Sequence, residues 1–151
     1  MCIRDSFISL EKNLTMYPED IVKPMREELT TLGFEELFQE KDVEKALAQK
    51  GTALVVVNSI CGCAAANARP GIRLSLGQDK TPDHLLTVFA GVDREATDAA
   101  RARMIPFPPS SPSIALFKDG ELVHMIERHH IEGRPAEMIA DNLQTAYSEY
   151  C

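Results

Sequence analysis

The sequence predicts an α/β fold in which a central mixed sheet is flanked by helices, with an extra helix at the N-terminal side. Three observations predict it. Ala53–Asn58 (ALVVVN) and Leu85–Ala90 (LLTVFA) are apolar on both faces, as strands are when helices cover a parallel sheet on each side. Helical stretches separate the two, and parallel strands need such crossovers. Ile114–Lys118 and Glu121–Ile126 are joined by Asp119-Gly120, a strong hairpin signal, and this adds antiparallel strands.

Along the chain, Met16-Tyr17-Pro18-Glu19-Asp20 opens like a helix first turn, with a proline and two acids. Ile21, Val22, Met25, Leu29 and Leu32 continue at helical spacing to Gly33, and Pro24 leaves the start of this helix open between residues 18 and 24. Phe34–Phe38 reads as a short strand. Asp42 is placed to cap a helix over Val43–Lys50. After the first buried strand comes Cys61-Gly62-Cys63, then a helix over Ala64–Leu76 that Pro70 should kink. The second buried strand ends at Gly91, and Asp93–Met104 is a polar helix. Ile105–Ser113 holds four prolines in nine residues and is not regular structure. The hairpin follows, then the exposed loop Arg128-His129-His130, then a last helix over Arg134–Tyr147 with Met138, Ile139 and Leu143 on its apolar face. A strand running into a cysteine pair at a helix start, with a proline before a closing hairpin and helix, is the order of the thioredoxin fold.

The 151 residues suit a single domain, expected over 16–151. Residues 1–15, Cys2 among them, carry little pattern and are expected to be a leader outside the fold, disordered or artefactual. Sixteen Lys and Arg against 23 Asp and Glu give a net charge of −7, without the basic footprint of a nucleic-acid or anionic-membrane binder. The apolar runs Ala53–Val57 and Cys63–Ala66 fall far short of the ~20 residues of a membrane span. Phe7–Leu10 is too short for a secretory signal, so a cytoplasmic protein is expected. In that compartment cysteines lean towards redox catalysis or metal binding.

Cys61 lies where a buried strand ends and a helix begins, and unpaired N–H groups and the helix dipole favour an anion there. A thiolate is that anion, and it is the nucleophile of disulfide exchange. Gly62 is expected to permit a tight turn, and a Cys61–Cys63 disulfide would close a small, strained and easily reduced ring. Two other readings stay open: two buried small hydrophobes, or a zinc or copper site completed by His129 and His130. If the strand after Pro112 runs antiparallel to Ala53–Asn58, Pro112 faces the cysteines, with a cis bond inferred from the fold alone. The next strand returns Arg128 and His129 to the same end, where Arg128 can hold a carboxylate of a thiol substrate and an imidazole can move a proton. Gly91 points to this end too. A final helix of 14 residues covers ~21 Å, so Cys151 should lie at the opposite end of the domain.

The chain resembles the bacilliredoxins, thioredoxin-like proteins with a C-G-C centre. The resemblance runs from about Met16 to Cys151 and rests on V-V-V-N-S-I-C-G-C-A-A (55–65), A-R-P-G (68–71), F-A-G-V-D (89–93), S-S-P-S (110–113), R-H-H-I-E-G (128–133) and the C-terminal cysteine. It implies removal of bacillithiol from mixed disulfides on oxidised, S-thiolated client proteins. Cys61 would attack and take up bacillithiol, with Cys63 as the resolving thiol. Gly62, Gly91, Ser111, Pro112, Arg128 and His129 would line the substrate site, and Cys151 would be an auxiliary thiol. No bound cofactor or metal is implied. Bacillithiol is the co-substrate, and a flavin disulfide reductase and a homodimer are the other implied partners. A general protein disulfide isomerase or reductase is the alternative activity, and a metal-binding or thiol-sensing module the alternative class.

Overall fold

The computed structural model describes residues 17–151, so the expectations for residues 1–15 and Cys2 lie outside the described residues. Five strands form one sheet in the order β1-β3-β2-β4-β5. They are β1 (Glu35–Glu36), β2 (Thr52–Asn58), β3 (His84–Phe89), β4 (Ser113–Lys118) and β5 (Glu121–Ile126). β3 runs parallel to β1 and β2, whereas β4 runs antiparallel to both β2 and β5. The mixed sheet flanked by helices is the one the sequence predicts.

All seven residues of β2 are buried, because each face of the strand serves a separate core. Leu54 and Val56 join Leu29, Ile72, Ile114, Leu116, Ile139, Leu143 and Tyr147, beneath α1 (Glu19–Thr30), α3 (Arg69–Ser75) and α6 (Ala136–Tyr150). Ala53, Val55 and Val57 join Val43, Leu47, Leu86, Val88, Ala96, Ala100 and Phe117, beneath α2 (Glu40–Leu47) and α4 (Arg94–Ala102). Successive side chains of a strand point to opposite faces, so a strand lacking polar alternation is one covered on both sides. At the hairpin Asp119 and Gly120 have φ of 51° and 84°, the positive pair that a two-residue type I′ turn requires.

Several boundaries differ from the sequence reading for identifiable reasons. α1 begins at Glu19 and carries Pro24 within it. Pro24 is exposed, so its missing N–H falls on the solvent side, while Val22 and Leu29 anchor the opposite face. Arg26 ties the helix down through a two-pronged bond to Asp93 at 2.8 and 3.1 Å. Burial works against the Arg26 charge, but Asp93, Glu19 and Glu36 outweigh it and hold its pKa above the ordinary arginine value.

Asp42 is not the N-cap of α2. Gln39 is, and Asp42 sits three residues in, accepting the Gln39 N–H at 3.0 Å in a capping box. The segment after Cys63 is a π-helical turn over Ala64–Ala68 that passes into α3. Pro70 lacks the N–H an α-helix would use, and its ring crowds the preceding turn; the wider π turn relieves both. Arg128-His129-His130 is not a loop but opens α5 (Arg128–Ile131), where Glu127 and His130 cap each other's backbone N–H reciprocally. α6 starts at Ala136 rather than Arg134, because Pro135 keeps the residue before it out of the helical region.

α3 and α6 lie close together at Gly71. A Cβ there would lie 2.8 Å from Ile139 Cβ and Cγ2 and 3.1 Å from the Ala136 carbonyl. Gly71→Ala should therefore destabilise the protein by about 1–3 kcal/mol. Urea unfolding measures this, and an unchanged midpoint would show that the two helices part without cost.

Candidate active site

Topology brings three chain segments to one end of the sheet. β2 runs out through Asn58 into Ser59-Ile60-Cys61. Ser113, which opens β4, pairs with Val57, and Ile126, which closes β5, pairs with Ile114. Cys61, the Ser110–Pro112 segment and Arg128 therefore meet at the C-terminal end of β2. The Ser111–Pro112 peptide is cis, as inferred from the fold, and so is Ile105–Pro106, which the sequence reading did not anticipate.

Among the described residues no disulfide joins Cys61, Cys63 and Cys151. Cys61 is only 2% exposed, whereas Cys63 is half-buried. The Cys61 carbonyl accepts from Ala64 N at 3.0 Å and Ala65 N at 3.3 Å, so the helix starts directly from the first cysteine. Arg128 spans the site. Its Nη1 donates to Cys61 Sγ at 3.6 Å and to the Ser111 carbonyl at 3.2 Å, and its Nη2 meets Glu132 at 3.3 Å. Its backbone N–H donates to Ser110 Oγ at 3.3 Å. Burial opposes the Arg128 charge, but Cys63, Cys61 and Glu132 outweigh it and raise its pKa above the usual value. The cation thus persists wherever a sulfur beside it carries charge.

Four residues to which the sequence reading gave no role support this arrangement. The Ser59 hydroxyl accepts the Cys61 N–H at 3.0 Å. Asn58 Oδ1 accepts the Ser59 N–H at 2.9 Å, and buried Arg69 donates to Asn58 Oδ1 and to the Ser59 carbonyl at 2.8 and 2.9 Å. Arg101 Nη2 donates to the Ser110 carbonyl at 3.3 Å. Burial lowers the Arg101 pKa, partly offset by Asp98. Asn58-Ser59, two polar residues ending an apolar strand, were the one sequence signal that could have found the network.

Other expectations fare differently. Gly62 lies in open space and is not among the glycines with positive φ, so the backbone does not demand glycine there. Gly91 has φ of 83° and lies under Tyr17, whose Cε2 would be 3.0 Å from a Cβ. A turn and a close contact therefore account for it. Among the described residues the clustered metal-type ligands are Glu127, His129 and His130, with donor atoms within 4.8 Å of one another; the cysteines are not among them. The alternative metal reading joined the C-x-C pair to His129 and His130, and the structure does not gather those four into one ligand cluster.

Cys151 is exposed at the end of α6, near Tyr147, which hydrogen-bonds Ser75 at the far end of α3. Burial pushes the Tyr147 hydroxyl up to about 12 against the Ser75 bond. α6 has fifteen residues, so at ~1.5 Å each it carries the chain about 22 Å before Cys151.

Residues 17–151 match the disulphide isomerase family model. A bacilliredoxin of Cytophaga hutchinsonii is 58% identical over 134 residues, covering 89% of this chain and 99% of that protein. One of Halalkalibacterium halodurans is 53% identical over 136 residues, covering 89% and 94%. The chain belongs to the bacilliredoxin family. Solved thioredoxins share the fold at much lower identity. The yeast mitochondrial thioredoxin 3 has a TM-score of 0.56 at 16% identity, covering 81% of this chain and 98% of its own. A Schistosoma mansoni thioredoxin has 0.55 at 20%, covering 78% and 95%. This bacilliredoxin-family chain is a thiol–disulfide oxidoreductase on a thioredoxin-like fold. No helix among the described residues is long and apolar enough to cross a membrane.

Two outcomes follow from the geometry. A unit charge about 4 Å from a thiolate is worth about 4 kcal/mol at an effective dielectric of about 20. The Arg128 side chain is 38% exposed, so solvent screening cuts this to about 1–1.5 kcal/mol. Arg128→Met should slow iodoacetamide labelling of Cys61 at neutral pH about tenfold, read by peptide mass spectrometry; an unchanged rate would remove Arg128 from the chemistry. Gly62→Ala should leave the protein as stable as before or up to about 1 kcal/mol more stable, because alanine loses less entropy in a helical first turn. A lowered thermal midpoint would show that the glycine is required structurally.

Proposed function

We propose that this oxidoreductase removes bacillithiol from mixed disulfides on client proteins in the reducing cytoplasm. The observation that carries the reading is the C-x-C pair with Arg128 Nη1 at 3.6 Å from Cys61 Sγ, in a chain whose relatives are bacilliredoxins. The Cys61 thiolate attacks the bacillithiol sulfur of the mixed disulfide. The S–S bond to the client breaks, the client sulfur leaves as a thiolate and takes a proton from water, and a Cys61–bacillithiol disulfide forms. A second thiolate then attacks Cys61 Sγ and releases bacillithiol. Cys63 would do this by closing the small ring, which a strained geometry leaves easily reduced. Alternatively, free bacillithiol attacks the bacillithiol sulfur of the adduct, which frees the Cys61 thiolate and forms bacillithiol disulfide, to be reduced by a flavin disulfide reductase.

Arg128 stabilises the attacking charge and offers its remaining N–H groups to a carboxylate of the thiol. Ser111, Pro112 and His129 border the same end of the sheet, which supports them as the surface against which the incoming disulfide lies. No bound cofactor is needed, since thiols carry both electrons. The exposed thiol of Cys151, remote from this end, suits an intermolecular disulfide within a homodimer or with a partner.

A second reading has one observation in its favour. Cys63 is the more accessible thiol, so it would accept the mixed disulfide and buried Cys61 would resolve it. Intact-mass and peptide analysis after exposure to bacillithiol disulfide separates the two. The first reading expects an adduct on Cys61 that accumulates in Cys63→Ser and is absent from Cys61→Ser. An adduct on Cys63 that persists in Cys61→Ser would establish the second. No adduct on either, with glutathione disulfide or a protein disulfide reduced instead, would make the chain a general reductase or isomerase.

A further inference from the structure

A fully enclosed arginine stands behind the cysteine pair. Arg69 is 2% exposed, and burying a guanidinium is costly unless its charge and its donors are met. Its Nε meets Glu28 of α1 at 2.8 Å, and that carboxylate is 44% exposed, so the ion pair has one foot in solvent. Its Nη1 is committed differently. It reaches Asn58 Oδ1 at 2.8 Å and the Ser59 carbonyl at 2.9 Å, both in the two residues that leave β2 for Cys61. Asn58 and Ser59 are themselves 1% and 3% exposed, so water does not compete for these bonds.

The bonds form a relay. Asn58 Oδ1 takes the Ser59 N–H as well as the Arg69 donor, and Asn58 Nδ2 donates to the Met25 carbonyl at 3.1 Å. With both ends held, Ser59 has a fixed backbone, and its Oγ takes the Cys61 N–H at 3.0 Å. Arg128 Nη1 meets Cys61 Sγ at 3.6 Å. A thiolate gains from a cation only while its sulfur stays within reach, so the hold on the Cys61 backbone decides how much of the Arg128 charge the sulfur feels.

We propose that Arg69 is a positioning residue for the reacting thiol, fixing through Asn58 and Ser59 the backbone from which Cys61 projects towards Arg128. The inference rests on Cys61 as a reactive thiol, but not on bacillithiol or on the order of the two cysteines. Lysine cannot replace the arginine. It keeps the charge but lacks the planar fork that serves Glu28 and the loop at once.

The test is the pH profile of iodoacetamide labelling at Cys61, resolved by peptide mass spectrometry, in wild type, Arg69→Lys, Ser59→Ala and the double variant. Labelling needs no disulfide substrate, so its result stands apart from the bacillithiol assay. Arg69→Lys is expected to slow labelling of Cys61 at neutral pH about tenfold and to move the midpoint of the profile to higher pH. Ser59→Ala is expected to move it in the same direction. The double variant should be no slower than Arg69→Lys, because the two residues act in one relay. A folded Arg69→Lys protein with the wild-type profile would reduce Arg69 to an anchor between α1 and α3, and so would additive losses. Where Arg69→Lys fails to fold, Ser59→Ala decides: a shifted midpoint supports the relay, and a wild-type profile overturns it.

Discussion

Everything in this domain hangs on the burial of β2 on both faces. One strand supplies alternate residues to two cores, so it cannot slip by a residue without exchanging every side chain between them. That fixes its register against β3 and β4, and with it the place where the chain leaves the sheet. Cys61 and Cys63 lie three and five residues beyond the last β2 residue, just past the strand whose register the two cores fix. A loop extending from a strand so held begins from a defined point, and chemistry at its tip inherits that precision.

The same burial creates a difficulty at the strand end. Asn58 and Ser59 are polar, yet they sit inside, and each buried polar group must find a partner or cost about 1–3 kcal/mol. Arg69 resolves this by answering two acceptors with one nitrogen, and Glu28 answers its charge. Pro70, next to Arg69, helps place it. The π turn that accommodates the proline adds a residue to the helix between the cysteines and Arg69, changing the direction in which Arg69 leaves the helix. An imperfection in the helix thus accompanies the support of the loop that carries Cys61.

Much of this was legible in the sequence, and the divisions have physical reasons. Strand type and order could be read because period-two patterning and its absence at β2 and β3 report burial directly. The convergence of Pro112 and Arg128 on Cys61 followed from topology, since antiparallel neighbours bring one strand's start beside another's end. The helix over Arg128–Ile131 was hidden because four residues carry no periodicity, and its reciprocal cap joins Glu127 to a histidine rather than to the expected acid or amide. Gly62 was assigned a conformational role that its helical backbone does not require. Arg69 falls in the A-R-P-G stretch, but its structural part was hidden, because an arginine in a helix reads as a surface residue until its partners on α1 and at the end of β2 are known.

The site divides accessibility and charge between its two sulfurs. Cys63 is half-exposed, so a disulfide from solution reaches it readily. Cys61 is almost enclosed, where a cation acts with less screening and an unpaired anion is least tolerated. Arg128 joins these conditions, for its guanidinium touches the enclosed sulfur while more than a third of its side chain meets solvent. On the proposed reading, charge on Cys61 would be neutralised by a group that also meets solvent. An incoming carboxylate would draw the same guanidinium outward, and would weaken its hold on the sulfur as the new disulfide forms and the charge there disappears. On that reading, binding of an anionic thiol and loss of thiolate charge would act on one side chain in the same direction, and Arg128 would be the point where recognition and exchange meet.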